Sequence, residues 1–282
     1  MSKLPRIVRG ERQKELVRTF DDACGRHNRW EVWSDSMVMY AISISNVVDK
    51  AHAERREELY CAIVKKYNER ELNCITRMFA LIVEAMDENP DQDFLGDLYM
   101  SLELGNQKAG QFFTPYSVCK MMAKMQPDIQ DKIKAQGWIS VNDPACGAGA
   151  LLVAFANECM LRNINYQTSV LFVAQDIDFV TGCMCYIQLS LLGCPGYVVV
   201  ADTIAHPATC IDGRGLIPTP GENIWYTPFY FRDVWHWRRV GYQLDSLLRS
   251  APAAPLEEPP EPEPTPEPIV LNETAAGQLS LF

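Results

Sequence analysis

Residues 138–204 alternate between short apolar segments and apolar helices, and this alternation limits the fold more than any other feature. The segments WISVND, SVLFVAQDI and YVVVADTI are apolar at most positions, and the helical patterns ALLVAFANECMLR and FVTGCMCYIQLSLLG separate them. Strands that are apolar on both faces are typical of parallel sheets covered by helices on both sides. We therefore predict an α/β fold in which the loops after the strands lie along one edge of the sheet.

Each of these strands ends in an aspartate or is closely followed by one: Asp143, Asp176 and Asp202, with Asp178 as the second choice after Asp176. In a nucleoside-binding α/β fold, an acid at the end of the second strand meets the ribose diol. The three acids therefore predict a nucleoside cofactor. The alternative is that the aspartates only cap the helices that follow them.

The loop DPACGAG (143–149) joins the first strand to a helix. Its two glycines allow the backbone to pass close to a ligand. It has neither the lysine of a phosphate-binding loop nor the third glycine of a dinucleotide fingerprint. A small zwitterion with a sugar attached suits this loop better than a polyphosphate.

The N-terminal third is predicted to be helical. Residues 51–88 place apolar side chains at three- and four-residue spacing up to Asn89-Pro90, and a short helix is expected over residues 94–104. A further helix is expected to begin with Thr114 as its N-cap and Pro115 as its first residue.

The ten cysteines are scattered, with no CxxC pair, and the four histidines show no ligand spacing. Reduced, mostly buried thiols and no metal are therefore expected. The first fifteen residues lack the apolar core of a secretory signal, and no apolar run is long enough to span a membrane. We expect a cytoplasmic protein, bacterial or encoded by a phage or mobile element, without a membrane partner.

Residues 251–282 contain six glutamates and no Lys or Arg, so much of the net charge of −10 lies in this tail. The body is only mildly acidic, and any contact with DNA must be local. Eight prolines alternate with glutamates between residues 251 and 269, which predicts an extended, solvated linker.

Together with GQFFTP (110–115), the loop DPACGAG resembles the cofactor loop of the S-adenosylmethionine-dependent DNA adenine-N6 methyltransferases, above all that of type I restriction-modification (M) subunits. In this family a helix and a GxFFTP or GxFYTP turn precede the loop by about thirty residues, as they do here, and AQDID and VVVADT follow in order. The resemblance covers roughly residues 93–206. It implies a Rossmann-like methyltransferase sheet, S-adenosylmethionine as cofactor, DNA as partner and methyl transfer to adenine.

The resemblance also assigns the cofactor contacts by position. The methionine end is expected to contact Phe113, Thr114, Asp143, Ala145, Gly147 and Gly149, with its carboxylate at the start of the helix after Pro115. Asp176 and Ile177 are expected to flank the ribose and adenine, and Asp202 to approach the adenine.

The chain departs from the family where adenine is activated. The family has an [N/D/S]PP[Y/F] tetrad after its fourth strand, whose amide and carbonyl accept the N6 hydrogens and whose ring stacks on the flipped base. Here Tyr226-Thr227-Pro228-Phe229 stands about twenty-five residues past Asp202, and the sheet is expected to be shortened after the fourth strand. Two hypotheses remain: a working methyltransferase, completed unconventionally or by a specificity or completing subunit, and a catalytically degenerate homologue that binds DNA or a clamp as an accessory protein.

Two further segments suggest partners. FYFRDVWHWRRV (229–240) places Arg232, Arg238 and Arg239 among aromatic residues, which suits DNA contact, or else an amphipathic helix with Trp235 packed on the sheet and solvated arginines. The final QLSLF resembles the peptide by which bacterial replication and repair proteins bind the sliding clamp; Gln278, Leu279, Leu281 and Phe282 are its expected contacts.

The predicted organisation is therefore a helical region (1–110), an S-adenosylmethionine-binding domain (111–250), a disordered Pro/Glu-rich linker (251–277) and a candidate clamp-binding peptide (278–282).

Overall fold

The computed structural model describes residues 11–104, 113–221, 223–250, 272–273 and 279–280. The chain divides into two units, residues 1–241 and residues 242–282. The second unit contains the end of the last helix and a short antiparallel pair, β5 (Asn272–Glu273) with β6 (Leu279–Ser280). All other elements below belong to the first unit, except that the last helix continues past residue 241.

Between residues 11 and 104 the N-terminal region forms five helices: α1 (Glu11–Cys24), α2 (Arg29–Val48), α3 (Ala53–Val64), α4 (Glu69–Glu88) and α5 (Phe94–Ser101). The helical prediction for residues 51–88 is confirmed, as two helices. The second of them begins at a capping box, in which the Asn68 side chain accepts from the Glu71 backbone N–H and the Glu71 carboxylate accepts from the Asn68 N–H. The short helix expected from Phe94 is α5.

The described residues of the α/β part form four strands: β1 (Ile139–Asp143), β2 (Val170–Asp176), β3 (Gly196–Val200) and β4 (Ile224–Tyr226). The helices around them are α6 (Tyr116–Lys124), α7 (Ile129–Gln136), α8 (Ala150–Leu161), α9 (Tyr166–Ser169), α10 (Phe179–Leu191) and α11 (Asp233–Ser250), with a 3-10 turn at Pro228–Phe231. The strand order is β1-β2-β3-β4; the first three strands are parallel, and β4 is antiparallel to β3. The predicted α/β fold and the sheet shortened after its fourth strand are confirmed for the described residues.

Alternate residues of the strands enter two different cores. Phe172 and Ala174 of β2 pack into a large core that extends from the N-terminal helices to α8 and α10. Leu171 and Val173 pack on the other face, in a smaller core that includes Trp235 of α11. Helices α2 and α10 thus share one core, and the predicted domain boundary near residue 110 lies outside the described residues.

The parallel strands define two edges of the sheet. We call the edge at the carboxyl ends of β1, β2 and β3 the carboxyl edge, and the opposite one the amino edge. Asp143 and Asp176 are the last residues of β1 and β2, so both lie at the carboxyl edge. Because β4 is antiparallel, it begins at the carboxyl edge and ends at the amino edge, where Tyr226 pairs with Tyr197.

Candidate functional site

Asp176 joins two loops at the carboxyl edge. Its Oδ2 accepts a hydrogen bond of 2.7 Å from the Gly147 N–H, and its Oδ1 accepts one of 2.9 Å from the Asp178 N–H. The Cys146 N–H donates to the carbonyl of Gln175, one residue before Asp176. The loop after β1 is therefore held against the end of β2, and the predicted neighbours Gly147 and Asp176 meet.

Both glycines of this loop have left-handed backbones, with φ of 53° at Gly147 and 94° at Gly149. A Cβ on Gly147 would lie 3.0 Å from the Phe113 ring. A Cβ on Gly149 would lie 2.8 Å from the Sγ of Cys185 in α10. The glycines therefore let the loop pass between the Phe113 ring and α10, where side chains would collide.

A cavity of about 170 Å³ lies over this loop. The predicted contacts Phe113, Thr114, Asp143, Ala145 and Gly147 all line it. The Phe113 ring is stacked on Tyr99 of α5, at 5.4 Å between ring centroids. The structure therefore brings together five of the six residues expected at the methionine end, while Gly149 lies just below them, against α10.

The carboxylate of Asp143 is half-buried and lies near a second acid. Burial raises its pKa, a hydrogen bond from the Ala145 N–H lowers it, and the charge of Asp176 raises it again. A cation placed in the cavity would therefore be attracted by two neighbouring carboxylates.

The helix after the FFTP turn begins one residue later than predicted. Pro115 has ψ of 135°, which is extended, so it is the N-cap and Tyr116 is the first helical residue of α6. The expectation of Thr114 as N-cap was wrong by one position. Thr114 is exposed and still faces the cavity, while residues 105–112, including the first half of the turn, lie outside the described residues.

The loop after β3 is fixed to the other two. Thr203 Oγ1 donates to the Pro144 carbonyl at 2.6 Å, and the buried Gln175 side chain donates to the carbonyls of Ala201 and His206. Asp202 is exposed, and its carboxylate accepts from the backbone of Ile204 and Ala205. The sequence analysis did not single out Gln175. Its position as the one amide in the otherwise apolar strand β2 could have indicated that its side chain binds a neighbouring loop.

Ile177 immediately follows the strand-end acid, and 73% of it is exposed. An apolar side chain in this position is open to stack on a planar ligand above the carboxyl edge.

Sequence reasoning missed a buried acid beneath the site. Asp93, the N-cap of α5, lines the same cavity; its Oδ1 accepts from the Gly96 N–H and from the side-chain amide of Gln188. The Gln188 amide also donates to the Ala148 carbonyl in the glycine loop. Asp93 thereby supports the loop from the N-terminal helices. It lies far from Gln188 in sequence, so no local pattern indicates this contact.

The buried Asp93 predicts a pH-dependent stability. Burial raises its pKa from 3.8 to about 6, although hydrogen bonds from Gln188 and Gly96 lower it. Because the folded pKa is higher than the unfolded one, ionisation opposes folding, and stability is lost as the pH rises from about 4 to 6. We expect Asp93→Asn to be more stable than the wild type by up to about 3 kcal/mol at pH 7.5, with little difference at pH 4, in urea denaturation. An equal difference at both pH values would contradict this origin.

The segment Tyr226-Thr227-Pro228-Phe229 lies at the amino edge. The buried Thr227 hydroxyl donates to the Cys194 carbonyl at 2.7 Å and accepts from the Gly196 N–H at 3.0 Å, both at the start of β3. The Phe229 ring lies against Gly193. At about 3.3 Å per residue, the length of β3 separates these groups from the level of Asp176 by about 13 Å. The structure does not bring the predicted catalytic segment to the predicted cofactor contacts.

A pair of substitutions tests what this segment does. Thr227→Val should lower the free energy of unfolding by about 1–3 kcal/mol, because the buried Gly196 N–H loses its acceptor. Tyr226→Phe should leave methyl transfer and cofactor affinity unchanged. A drop of more than about tenfold in transfer for Tyr226→Phe, at unchanged cofactor affinity, would restore the segment to a catalytic role.

The arginines predicted to contact DNA are also at the amino edge. Arg238 donates to the carbonyls of Thr168 and Gly137, and Arg239 donates to the carbonyl of Tyr230 and lies 4.0 Å above its ring. The exposed Arg232 lies over the Phe229 ring. Trp235 is fully buried on the sheet, as the amphipathic-helix alternative predicted. The same alternative predicted solvated arginines, whereas Arg238 and Arg239 donate hydrogen bonds to backbone carbonyls.

Of the predicted clamp contacts, Gln278, Leu281 and Phe282 lie outside the described residues, and Leu279 belongs to β6.

Among the residues that the structure describes, no group of three or more His, Cys, Asp or Glu could hold a metal ion. The same residues contain no helix long and apolar enough to cross a bilayer.

Comparison with known proteins gives a family match and a similar structure. Residues 90–214 match the sequence model of the N-6 DNA methylase family. A crystal structure of a Listeria monocytogenes protein, described as a putative class I S-adenosylmethionine-dependent methyltransferase, is similar at 17% identity and a TM-score of 0.42, covering 75% of this chain and 56% of that one. No curated protein gives a significant match. The matched segment, residues 90–214, includes the glycine loop and all three strand-end aspartates, and members of the N-6 DNA methylase family use S-adenosylmethionine.

Proposed function

We propose that the chain binds S-adenosylmethionine at the carboxyl edge and acts in methyl transfer to the N6 amine of adenine in DNA. The observation that carries this proposal is the loop Asp143–Gly149, which Asp176 holds below the Phe113 ring by accepting the Gly147 N–H. The match to N-6 DNA methylases supports the choice of acceptor.

The residues present suit the cofactor. A cavity of about 170 Å³ has room for the amino-acid end alone, so the nucleoside would lie over the open edge beside Ile177. Asp143 would face the ammonium group, and the first-turn amides of α6 would face the carboxylate. The Asp176 oxygens each accept one backbone hydrogen bond, and a carboxylate oxygen accepts two, so the ribose hydroxyls can still bind.

Methyl transfer also requires groups that act on adenine. The cofactor supplies an electrophilic methyl group on a sulfonium, but the N6 lone pair is delocalised into the ring. Acceptors for the N6 hydrogens allow the nitrogen to become pyramidal as it attacks. The segment 226–229 lies at the other edge, so we propose that these acceptors come from elsewhere.

The outer side of β1 favours a completing subunit as their source. β1 pairs with β2, and no strand among the described residues pairs with its other side. A cavity of about 610 Å³ runs beside β1, lined by Val141, Leu151 and Phe155 among others. A strand added here parallel to β1 would end beside Asp143, at the proposed cofactor cavity.

Tritium transfer from labelled cofactor to adenine-rich duplex DNA tests the proposal, with the chain alone and with candidate subunits. Cofactor binding is measured in parallel by calorimetry. We expect binding by the chain alone and transfer that depends on, or is strongly increased by, the subunit.

The second candidate function is a non-catalytic DNA- or clamp-binding accessory protein, favoured by the position of Thr227 and Phe229 at the amino edge. Binding of the cofactor without transfer under every condition would support it and exclude the first. Absence of cofactor binding would exclude S-adenosylmethionine for both.

The sliding clamp remains a proposed partner. We expect a clamp pull-down to be lost on deletion of residues 278–282 and kept on deletion of residues 256–260 in the linker. Retention of the clamp without the terminal residues would contradict the assignment of QLSLF.

A further inference from the structure

Four arginines lie along the amino edge of the sheet, and we call them the arginine row. One comes directly before α11, two are within that helix, and one comes from the loop between β3 and β4. In chain order they are Arg214, Arg232, Arg238 and Arg239. The sequence suggested DNA contact for the last three, whereas Arg214 joins them only in the folded chain.

One end of the row lies at the start of β1. The Arg214 guanidinium is 3.7 Å from the centroid of the Trp138 ring, and the Arg238 guanidinium is 6.0 Å from it. Arg214 donates to the Trp138 carbonyl at 2.9 Å, and Arg238 donates to the carbonyls of Gly137 and Thr168. These carbonyls come just before β1 and β2, so both charges are held at the amino edge.

The other end of the row lies at the end of β4. Arg239 donates to the Tyr230 carbonyl and lies 4.0 Å from the centroid of its ring, which is stacked on the ring of Tyr226 in β4. The Arg232 guanidinium lies 4.9 Å from the centroid of the Phe229 ring. Because β1 and β4 are the outer strands of the four, at about 4.8 Å between neighbours, the row spans about 14 Å.

The row has no carboxylate to balance its charge. Within the described part of the chain, none of the four arginines forms an ion pair. Arg214 and Arg238 lie over one ring, so their charges are at most about 10 Å apart, which is about one Debye length at 0.1 M salt. Burial lowers the pKa of Arg238, and the charge of Arg214 lowers it further. A bound anion would offset this repulsion.

The donors of the row indicate the class of anion. A guanidinium has five N–H groups, of which Arg214 uses one and Arg238 two in the hydrogen bonds above. Arg214 and Arg232 are exposed, and the other two arginines are half-buried, so all four side chains are in contact with solvent. Guanidinium groups that are held in place are suited to bidentate phosphate contacts. One strand of duplex DNA presents a phosphate about every 3.4 Å along its axis, so a row of about 14 Å can face about four of them.

The row lies away from the cofactor cavity. The seven residues of β2 separate the two edges, which is about 20 Å at about 3.3 Å per residue. DNA at the row would therefore lie beside the target base and not at it. Phosphate contacts of this kind position a duplex but carry no sequence information.

We propose that the arginine row binds the phosphate backbone of duplex DNA. This inference rests on the proposed action on DNA, and it adds the surface that holds the duplex during transfer. It gives Arg214 a role in DNA binding and accounts for four neighbouring cations without a carboxylate.

The test measures DNA binding by the full chain without cofactor, from the fluorescence anisotropy of a labelled duplex of about 30 base pairs. The salt concentration is varied from about 50 to 300 mM. Each phosphate contact contributes about −0.9 to the slope of log K against log salt concentration, so four contacts give a slope of about −3 to −4. Arg214→Gln and Arg232→Gln should each reduce the size of the slope by about one, and each should weaken binding about five- to tenfold at 0.1 M salt.

Two control variants separate charge from structure. Arg70→Gln removes the same charge at an exposed position of α4 and should leave the slope unchanged. Arg214→Lys keeps the charge but loses the planar group over Trp138, so it should keep a slope close to that of the wild type. Urea denaturation checks that each variant is folded.

The inference is overturned if the chain does not bind the duplex at about 50 mM salt, or if neither glutamine variant changes the slope. Tighter binding of a polyglutamate peptide than of DNA with the same number of charges would also overturn it, in favour of an acidic protein partner. Calorimetry of S-adenosylhomocysteine separates the failures. Absence of that binding contradicts the proposed function, while the salt slopes report on the arginine row by itself.

Discussion

Replacing Gly149 with alanine is expected to abolish cofactor binding and to lower the free energy of unfolding by about 2–5 kcal/mol. The backbone at Gly149 has φ of 94°, which costs a residue with a Cβ about 1–2 kcal/mol. The new Cβ would also lie 2.8 Å from Cys185 Sγ and 3.4 Å from its Cα, an overlap that costs a further 1–3 kcal/mol or so. The loop must move away from α10 to relieve it. Calorimetry with S-adenosylmethionine and urea denaturation measure the two effects.

Gly137 provides the matched control. Its φ of 76° is also left-handed, but a Cβ there would meet no atom within 4 Å. Gly137→Ala should therefore cost only the backbone strain, about 1–2 kcal/mol, and leave cofactor affinity unchanged. Equal effects of the two substitutions on cofactor affinity would show that the contact with α10 does not position the loop.

Asp176→Ala is expected to reduce cofactor affinity at least about 100-fold. Its carboxylate holds the Gly147 and Asp178 N–H groups, so its removal frees the glycine loop and also deletes the proposed acceptor for the ribose hydroxyls. The carboxylate makes charge-assisted hydrogen bonds to the loop and would make them to the ligand, and losing them costs about 3 kcal/mol of binding free energy. A loss of this size corresponds to about a 100-fold weaker affinity. Calorimetry gives the affinity, and amide exchange at residues 145–149 reports the loosened loop.

Asp178→Ala separates this role from helix capping. Asp178 is the N-cap of α10 and accepts from the Thr181 N–H at 2.8 Å. Its loss should cost about 1 kcal/mol of stability, with cofactor affinity changed less than about fivefold. Comparable losses of affinity in the two variants would assign the effect to the start of α10 rather than to the carboxylate of Asp176.

The features of the carboxyl edge whose position the sequence predicted correctly are those set by neighbouring residues. The strand ending at Asp143, its glycine loop and helix α8 follow one another within about twenty residues, and each has its own local pattern. Once right-handed crossovers are assumed, Asp143 and Asp176 must share an edge, as they do.

The parts that sequence could not predict depend on residues far apart in the chain. β4 is three residues long, and IWY would suit either outer edge of the sheet. Its place beside β3 is decided by packing: Trp225 enters the core with α2 and α10, and Ile224 enters the core on the other face. This choice turns the segment 226–229 toward the amino edge and leaves the outer side of β1 without a paired strand among the described residues.

By itself, the sequence determined the α/β class, the order of the strands and helices, and the glycine loop between β1 and α8, because apolar periodicity and turn chemistry are local. Only the tertiary structure decided which edge β4 occupies, that Arg238 and Arg239 bind backbone carbonyls, and that Asp93 supports the loop through Gln188. These contacts join residues separated by 9 to 95 positions in the chain. They form because folding buries polar groups that need hydrogen-bond partners, and only the packed structure decides which partners are within reach.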